Sequence, residues 1–181
     1  MNILITGVPG TGKTTLSKRL AKNLGYEHID LNEIVKVERL WKRKEEGVLV
    51  VDMAKLEEIV KRRMGWKNCI VDGHLGCDMK LPVDIVIVVR TSPAILKKRL
   101  ASRRYSGRKV TTNLLCEALD YCTLKAEENY KDVREIVTHK TVNASLKDIE
   151  EILRNENAFK AGKVNWRQEL EKLAERSAEI S

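Results

Sequence analysis

The sequence predicts an α/β fold: a doubly wound, parallel, five-stranded sheet flanked by helices, with a short lid and a C-terminal helical extension. Three observations carry this reading. Short apolar runs alternate with segments whose apolar residues recur every three or four positions, the rhythm of strand–helix–strand units. The runs Asn2–Thr6, Cys69–Val71 and Ile85–Val89 lack the apolar–polar alternation of a half-wet strand, so they read as strands covered on both faces. The first run also breaks into glycines immediately before a helical pattern.

Taken in order, Asn2–Thr6 is the first strand. After Lys13, Leu16, Leu20 and Leu24 share a helical face, and Gly25 stops the helix. A short strand follows around Glu27–Ile29. Leu31 to Arg43 is helix-like until its periodicity dissolves in Lys42-Arg43-Lys44; Glu45-Glu46-Gly47 reads as a turn and Val48–Val51 as extended. Leu56, Ile59, Val60 and Met64 form one helical face, with Gly65 beyond its end. Cys69–Val71 is a strand ending in Asp72, and Ile85–Val89 is the strongest strand of the chain. Ser92-Pro93 supplies the cap and first turn of a helix carrying Ile95, Leu96 and Leu100. The polar, basic stretch Ser102–Thr112 interrupts it. A long helix is expected from about Asn113 to Tyr130, with Leu115, Ala118, Leu119, Cys122 and Ala126 inward. Glu135–Thr138 is the last strand, and Leu146, Ile149 and Leu153 belong to a last core helix. Residues 1–154 thus form the expected core. Residues 155–181 read as a polar linker and a helix bearing Trp166, Leu170, Leu173 and Ala174, docked on the domain or reaching a partner.

At 181 residues, 43% apolar and 33% charged, the chain suits one domain with a real core and excludes collagen-like, low-complexity and crosslink-stapled classes. Its longest apolar run, Ile85–Val89, is far short of the ~18 residues of a membrane span. No apolar signal segment follows Met1, so the protein is expected to stay in the cytoplasm, or the nucleus if eukaryotic. Cys69, Cys77, Cys116 and Cys122 form no C-x2-C pair and read as reduced thiols rather than a zinc site or disulfide framework. The net charge of +8 suits an anionic partner, nucleotide phosphate or RNA, without choosing between them.

The chemistry concentrates in four places. Gly7-Val8-Pro9-Gly10-Thr11-Gly12-Lys13-Thr14 matches G-x-x-x-x-G-K-[ST] at every fixed position, between an apolar run and an amphipathic helical pattern. Its glycines let the backbone curl until several N–H groups share one concavity, and the helix N-terminus adds partial positive charge. Lys13 then reaches the outer phosphates, the Thr14 hydroxyl ligates Mg2+, and Thr15 donates to an inner phosphate. Asp72, closing an apolar strand, is the expected carboxylate for Mg2+. Two residues on, His74 reads either as a neutral imidazole orienting an attacking water or acceptor, or as a structural histidine. Arg99, Arg103, Arg104, Arg108 and Lys109 cluster around Tyr105-Ser106-Gly107. Closing over a transferring phosphoryl group they would stabilise its charge; the same residues also suit a solvated loop, and for RNA only Tyr105 is present to stack. In enzymes that phosphorylate nucleotides, the acceptor binds in the interval that is here Asp30–Met53. That interval offers Lys36, Arg39, Lys42, Arg43 and Lys44, and spacing does not choose among them.

With these residues in place, the chain resembles the small atypical adenylate kinases of the isoenzyme 6 type, also called coilin-interacting nuclear ATPase proteins, from Ile3 to about Leu153. Gly-x-Pro-Gly-x-Gly-Lys-Thr-Thr at 7–15, Val-Asp-x-His at 71–74 with Gly-Cys-Asp at 76–78, and Arg-x-Tyr-x-x-x-Lys at 103–109 carry the likeness. It implies a phosphate-loop nucleoside monophosphate kinase core, with an acceptor segment at about 30–53 and a lid at about 102–112. It also implies Mg2+-dependent phosphoryl transfer from ATP to AMP, ATP hydrolysis, and assistance to small ribosomal subunit maturation through a small-subunit ribosomal protein, with pre-ribosomal RNA nearby. The ATP contacts carry over to Gly10, Gly12, Lys13, Thr14, Thr15 and Arg103, joined by Lys109 of the basic segment. The motif Asp and His carry over to Asp72 and His74; the acceptor cations singled out from the interval are Lys36 and Arg39. Two departures stand out. One extra residue, Leu75 or Gly76, separates His74 from Cys77. The family's acceptor-helix arginine corresponds to Lys36, a point charge in place of a bidentate fork.

Overall fold

The protein is described by a computed structural model covering residues 1–43, 49–65, 68–103, 105–138, 141–169 and 171. The first half of the chain builds β1 (Asn2–Thr6), α1 (Lys13–Leu24), β2 (Glu27–Asp30), α2 (Leu31–Val37), β3 (Trp41–Arg43), β4 (Leu49–Val51) and α3 (Met53–Met64). The second half builds β5 (Cys69–Asp72), a 3-10 turn at His74–Asp78, β6 (Ile85–Arg90), α4 (Pro93–Ser102), α5 (Gly107–Ala118), α6 (Tyr121–Asn129), β7 (Val133–Val137) and α7 (Val142–Arg154). Five strands form one parallel sheet in the order β2-β5-β1-β6-β7. Because β1 lies centrally, with β5 and β6 on either side, the chain winds outward in both directions from it. Such a sheet opens a crevice at the carboxyl ends of its strands.

Both faces are covered, which is why the strand runs show no polar alternation. On one face Ile3, Ile5, Ile70, Ile87 and Val89 pack with Leu16 and Leu20 of α1 and Leu146, Ile149 and Ile152 of α7. On the other, Leu4, Val71, Val86 and Val88 pack with Leu56 and Val60 of α3, Leu96 and Leu100 of α4, and Cys122 and Ala126 of α6.

The structure differs from the sequence reading in four places. The helix expected from Asn113 to Tyr130 is two helices, α5 and α6, with Asp120 between them at φ 56°. Leu115 and Leu119, expected inward, are 42% and 58% exposed. A buried guanidinium takes the carbonyl of Glu117 and the carboxylate of Asp120 at this break, and that fixed charge turns the chain there. The basic stretch 102–112, expected to interrupt the helices, is mostly helical, since α5 begins at Gly107 rather than near Asn113. Lysine and arginine are good helix formers, so polarity alone misread them. Helix α2 stops at Val37, and Trp41–Arg43 pairs antiparallel with Leu49–Val51; the expected Glu45-Glu46-Gly47 turn lies outside the described residues. Finally, the expected linker is a docked strap. Glu135 N–H donates to the Phe159 carbonyl at 2.9 Å, and Ala161 N–H to that of Val133 at 3.3 Å. Leu170, Leu173 and Ala174 lie outside the described residues.

Candidate active site

The loop after β1 wraps a concavity at the head of α1. Gly7 stands at φ 136°, where a Cβ would lie 2.4 Å from the Val89 carbonyl oxygen, so β6 leaves room for glycine alone. Gly12 enters the helix in the left-handed region, at φ 98°. Lys13 is buried and donates to the Val8 carbonyl at 3.0 Å. Burial holds its ammonium below the ordinary lysine range, and the Asp72 charge pulls the other way. An incoming phosphate would offer this desolvated cation a better acceptor than a peptide oxygen.

Two cavities flank the loop and share Gly10, Gly12, Thr15 and Arg103. One, about 200 Å3, adds Lys13, Thr14, His74, Asn32 and Tyr105. The other, about 320 Å3, adds Thr11, Leu16, Arg99, Thr138 and Ser145. Arg103, at the end of α4, therefore reaches both. Lys109 sits on α5 with its ammonium 4.9 Å from the centre of the Tyr105 ring, a cation–π contact that holds it at the rim.

Asp72 ends β5 beside the loop, opposite Ile5 of β1. It is fully buried, yet neither carboxylate oxygen meets a hydrogen-bond donor. A buried carboxylate whose oxygens meet no donor leaves them open to a cation, and its charge already acts on the Lys13 ammonium. Among the described residues no three His, Cys, Asp or Glu side chains cluster as metal ligands. A divalent cation at Asp72 and Thr14 would therefore take most of its shell from phosphate oxygens and water, as Mg2+ does. His74 follows the strand on the 3-10 turn and lines the smaller cavity. Burial, reinforced by the charge of Lys13, pushes its imidazole down to about 4, so it is neutral near pH 7.

The structure thus brings Gly10, Gly12, Lys13, Thr14, Thr15, His74 and Arg103 around one pair of cavities. Asp72 and Lys109 line neither, Asp72 being buried where its charge acts on Lys13 and Lys109 lying against Tyr105 of the smaller cavity. Lys36 and Arg39 are not brought in: both are exposed and line neither cavity. The residue of α2 that does line one is Asn32. Arg104 and Lys44 lie outside the described residues.

Sequence reasoning missed the groups behind the loop. Arg99, grouped with the mobile cations, instead donates to the loop's own backbone, at 3.3 Å to the Gly10 carbonyl, and to the Thr138 carbonyl just past β7 at 3.0 Å. Arg90, at the end of the apolar run, is buried and holds Glu117 at 2.8 Å and Glu135 at 2.5 Å. Its one sequence signal was an arginine continuing a fully apolar strand.

Comparisons with known proteins bear on the family and the fold. The AAA domain family profile matches residues 3–120. A protein of Pyrococcus abyssi named “Putative adenylate kinase” is 35% identical over 167 residues, covering 92% of this chain and 91% of its own length. A protein of Methanocaldococcus jannaschii with the same name is 36% identical over 169 residues, covering 92% and 93%. Among solved structures, shikimate kinase from Bacteroides thetaiotaomicron superposes with a TM-score of 0.62 at 15% identity, over 86% of this chain and 99% of that one. Shikimate kinase from Acinetobacter baumannii, in complex with shikimate, gives 0.62 at 19% identity, over 86% and 94%. At such identities these two structures speak for the fold alone.

Proposed function

This chain belongs to the archaeal family named “Putative adenylate kinase”, built on a phosphate-loop kinase fold, and we propose that it transfers the terminal phosphoryl group of ATP to AMP. The observation that carries the proposal is the pair of cavities meeting across one glycine loop, with Arg103 lining both. A triphosphate whose base and sugar occupy the larger cavity would lay its tail over the loop amides and into the smaller one.

In this reading Lys13 leaves the Val8 carbonyl for the transferred phosphate, and Arg103 and Lys109 neutralise charge as it moves. Thr14 and Asp72 would hold Mg2+, which when bound screens the phosphates and orients them. The acceptor enters from the α2 side, past Asn32, within the segment about 30–53; Lys36 and Arg39 are its cations only if that segment closes. Neutral His74 keeps a free nitrogen to orient the attacking group.

That same neutral imidazole favours a second activity. His74 can orient water as well as an acceptor hydroxyl or phosphate, which supports ATP hydrolysis. The isoenzyme 6 resemblance extends the proposal to small ribosomal subunit maturation with a small-subunit ribosomal protein, and the +8 charge suits nearby pre-ribosomal RNA. The core proposal is tested by supplying ATP with each nucleoside monophosphate in turn. ADP formation with AMP well above the ATP-alone rate is expected; no excess with AMP overturns it. The assembly role is tested by co-purification in ATP and ADP, and fails if no small-subunit protein or precursor RNA binds in either state.

A further inference from the structure

Strands β2 and β5 run parallel with His28 opposite Ile70 and Asp30 opposite Asp72. His28 and Asp72 therefore protrude from one face of the sheet, two positions apart on neighbouring strands. Asp30 is committed elsewhere, since its carboxylate accepts from Asn32 and Glu33 N–H at the head of α2. His28 has no such commitment. Among the described residues four buried side-chain polar atoms lack a partner, and three of them are His28 Nε2 and the two oxygens of Asp72. The imidazole Nε2 stands 3.7 Å from Asp72 Oδ2, with the carboxylate fully buried and the imidazole 19% exposed.

That separation is beyond a hydrogen bond, but a side-chain shift of about 1 Å closes it to the ordinary N–H···O distance. The drive to close is strong, because a buried polar atom left without a partner bears its full desolvation penalty. From the geometry we infer that His28 is a positioning residue for Asp72. Its Nε2–H takes Oδ2 and fixes the carboxylate plane, leaving Oδ1 to face the cation that accompanies the nucleotide phosphates. A carboxylate ligand is oriented by its own hydrogen-bond partner, and loss of such a partner typically weakens metal binding by about 10–100-fold. The inference rests on the proposed role of Asp72 and adds the residue that aims it.

The test measures binding rather than turnover. Free Mn2+ is followed by electron paramagnetic resonance as it titrates the protein–ADP complex, and ADP affinity is measured separately in EDTA. His28→Phe keeps a ring of similar shape without the N–H; His28→Gln keeps a donor. The expected result is Mn2+ affinity about tenfold weaker in His28→Phe, with ADP binding in EDTA within about twofold of wild type, and recovery to within about threefold in His28→Gln. Wild-type Mn2+ affinity in His28→Phe overturns the inference, and so does an equal loss of ADP binding in EDTA, which would make His28 merely structural. If His28→Phe does not fold, His28→Leu takes its place: Mn2+ affinity about tenfold weaker than in His28→Gln supports the inference, and wild-type affinity overturns it. Failure of the wild-type protein to bind ADP at all would instead sink the nucleotide reading beneath it, whereas ADP binding that Mn2+ does not strengthen sinks the inference alone.

Discussion

The hydroxyl of Thr138 donates to the carbonyl of Thr11 at 2.6 Å, tying the end of the outermost strand to the turn of the phosphate loop. Thr91 Oγ1 lies 2.6 Å from the same hydroxyl, and Arg99 reaches the Thr11 carbonyl at 3.4 Å. In a trans peptide the N–H points opposite to the C=O. Holding the Thr11 carbonyl from behind therefore aims the Gly12 N–H forward into the concavity.

Thr138→Val should then weaken ADP binding several-fold while leaving the fold intact. The substitution removes one donor at nearly constant volume, worth about 1 kcal/mol, or about fivefold in affinity. Calorimetric titration with ADP and a thermal melt check this together. Unchanged affinity would mean that Arg99 holds the peptide alone.

Arg90→Met should destabilise the protein by about 3–5 kcal/mol. Glu117 and Glu135 share its guanidinium, and their side chains are about 1% exposed. Burial already pushes the Glu117 carboxyl above its usual range despite Arg90. Without the arginine two carboxylates lose their principal counter-charge in the interior. Adding Glu117→Gln to Arg90→Met should recover part of the loss, since it removes one uncompensated charge. Urea denaturation of the single and double variants measures both effects.

These two predictions rest on residues that one-dimensional reading could not find. The phosphate loop, β1, β5 and β6 were legible because their signals are local: fixed glycine spacing, and strands of four to six residues built on unbroken apolar runs. The α5–α6 break was not, because nothing in Leu119-Asp120-Tyr121 ends a helix by itself; the turn is set by Arg90, 30 positions earlier. The partners Thr11 and Thr138 lie 127 positions apart. Polar networks of such reach emerge only once the sheet is assembled, and the basic stretch before α5 misled because helix and loop can carry the same charges.

Lys13→Met should abolish phosphoryl transfer and hydrolysis, by at least about a hundredfold, and lower stability as well. The wild-type ammonium is desolvated, bonded to one carbonyl oxygen and held below its normal range by burial, yet its charge is coupled to that of the buried Asp72 carboxylate. Methionine removes the desolvation cost of the ammonium but leaves that carboxylate without its neighbouring cation. The melting temperature should fall while turnover vanishes, and adding Asp72→Asn to Lys13→Met should recover part of the loss. An unchanged melting temperature would show that the pair adds nothing to the free protein.

His74→Ala should depress hydrolysis more than nucleotide binding. The imidazole lines the smaller cavity but is neutral at pH 7, so it adds no charge to hold phosphates and can act only by orienting what attacks them. General acid–base or orienting groups contribute about 10²–10⁴-fold to rate. Hydrolysis should fall at least about tenfold, with ADP affinity within about threefold of wild type. Equal losses in both assays would assign His74 to the fold.

Deleting residues 158–181 should destabilise the core. Glu135 Oε2 accepts from the N–H groups of Gly162, Lys163 and Val164 at 2.9–3.3 Å, while Oε1 of the same carboxylate holds Arg90 and Thr123. The strap thus satisfies the outer oxygen of a buried group whose inner oxygen anchors the Arg90 cluster. Trp166 Nε1–H donates at 3.1 Å to Glu117 Oε1, the oxygen that also accepts from Arg90. Removing the strap uncovers β7 along the line where Phe159 and Ala161 bond to it, and an unpaired edge is prone to association. The loss expected is several kcal/mol, from four hydrogen bonds to charged groups at about 1.5–3 kcal/mol each, less what water restores. Trp166→Phe alone should cost about 1–2 kcal/mol. Denaturation midpoints of the two variants, with light scattering for the deletion, check the order; a deletion as stable as the full chain would show the strap to be ornamental to the core.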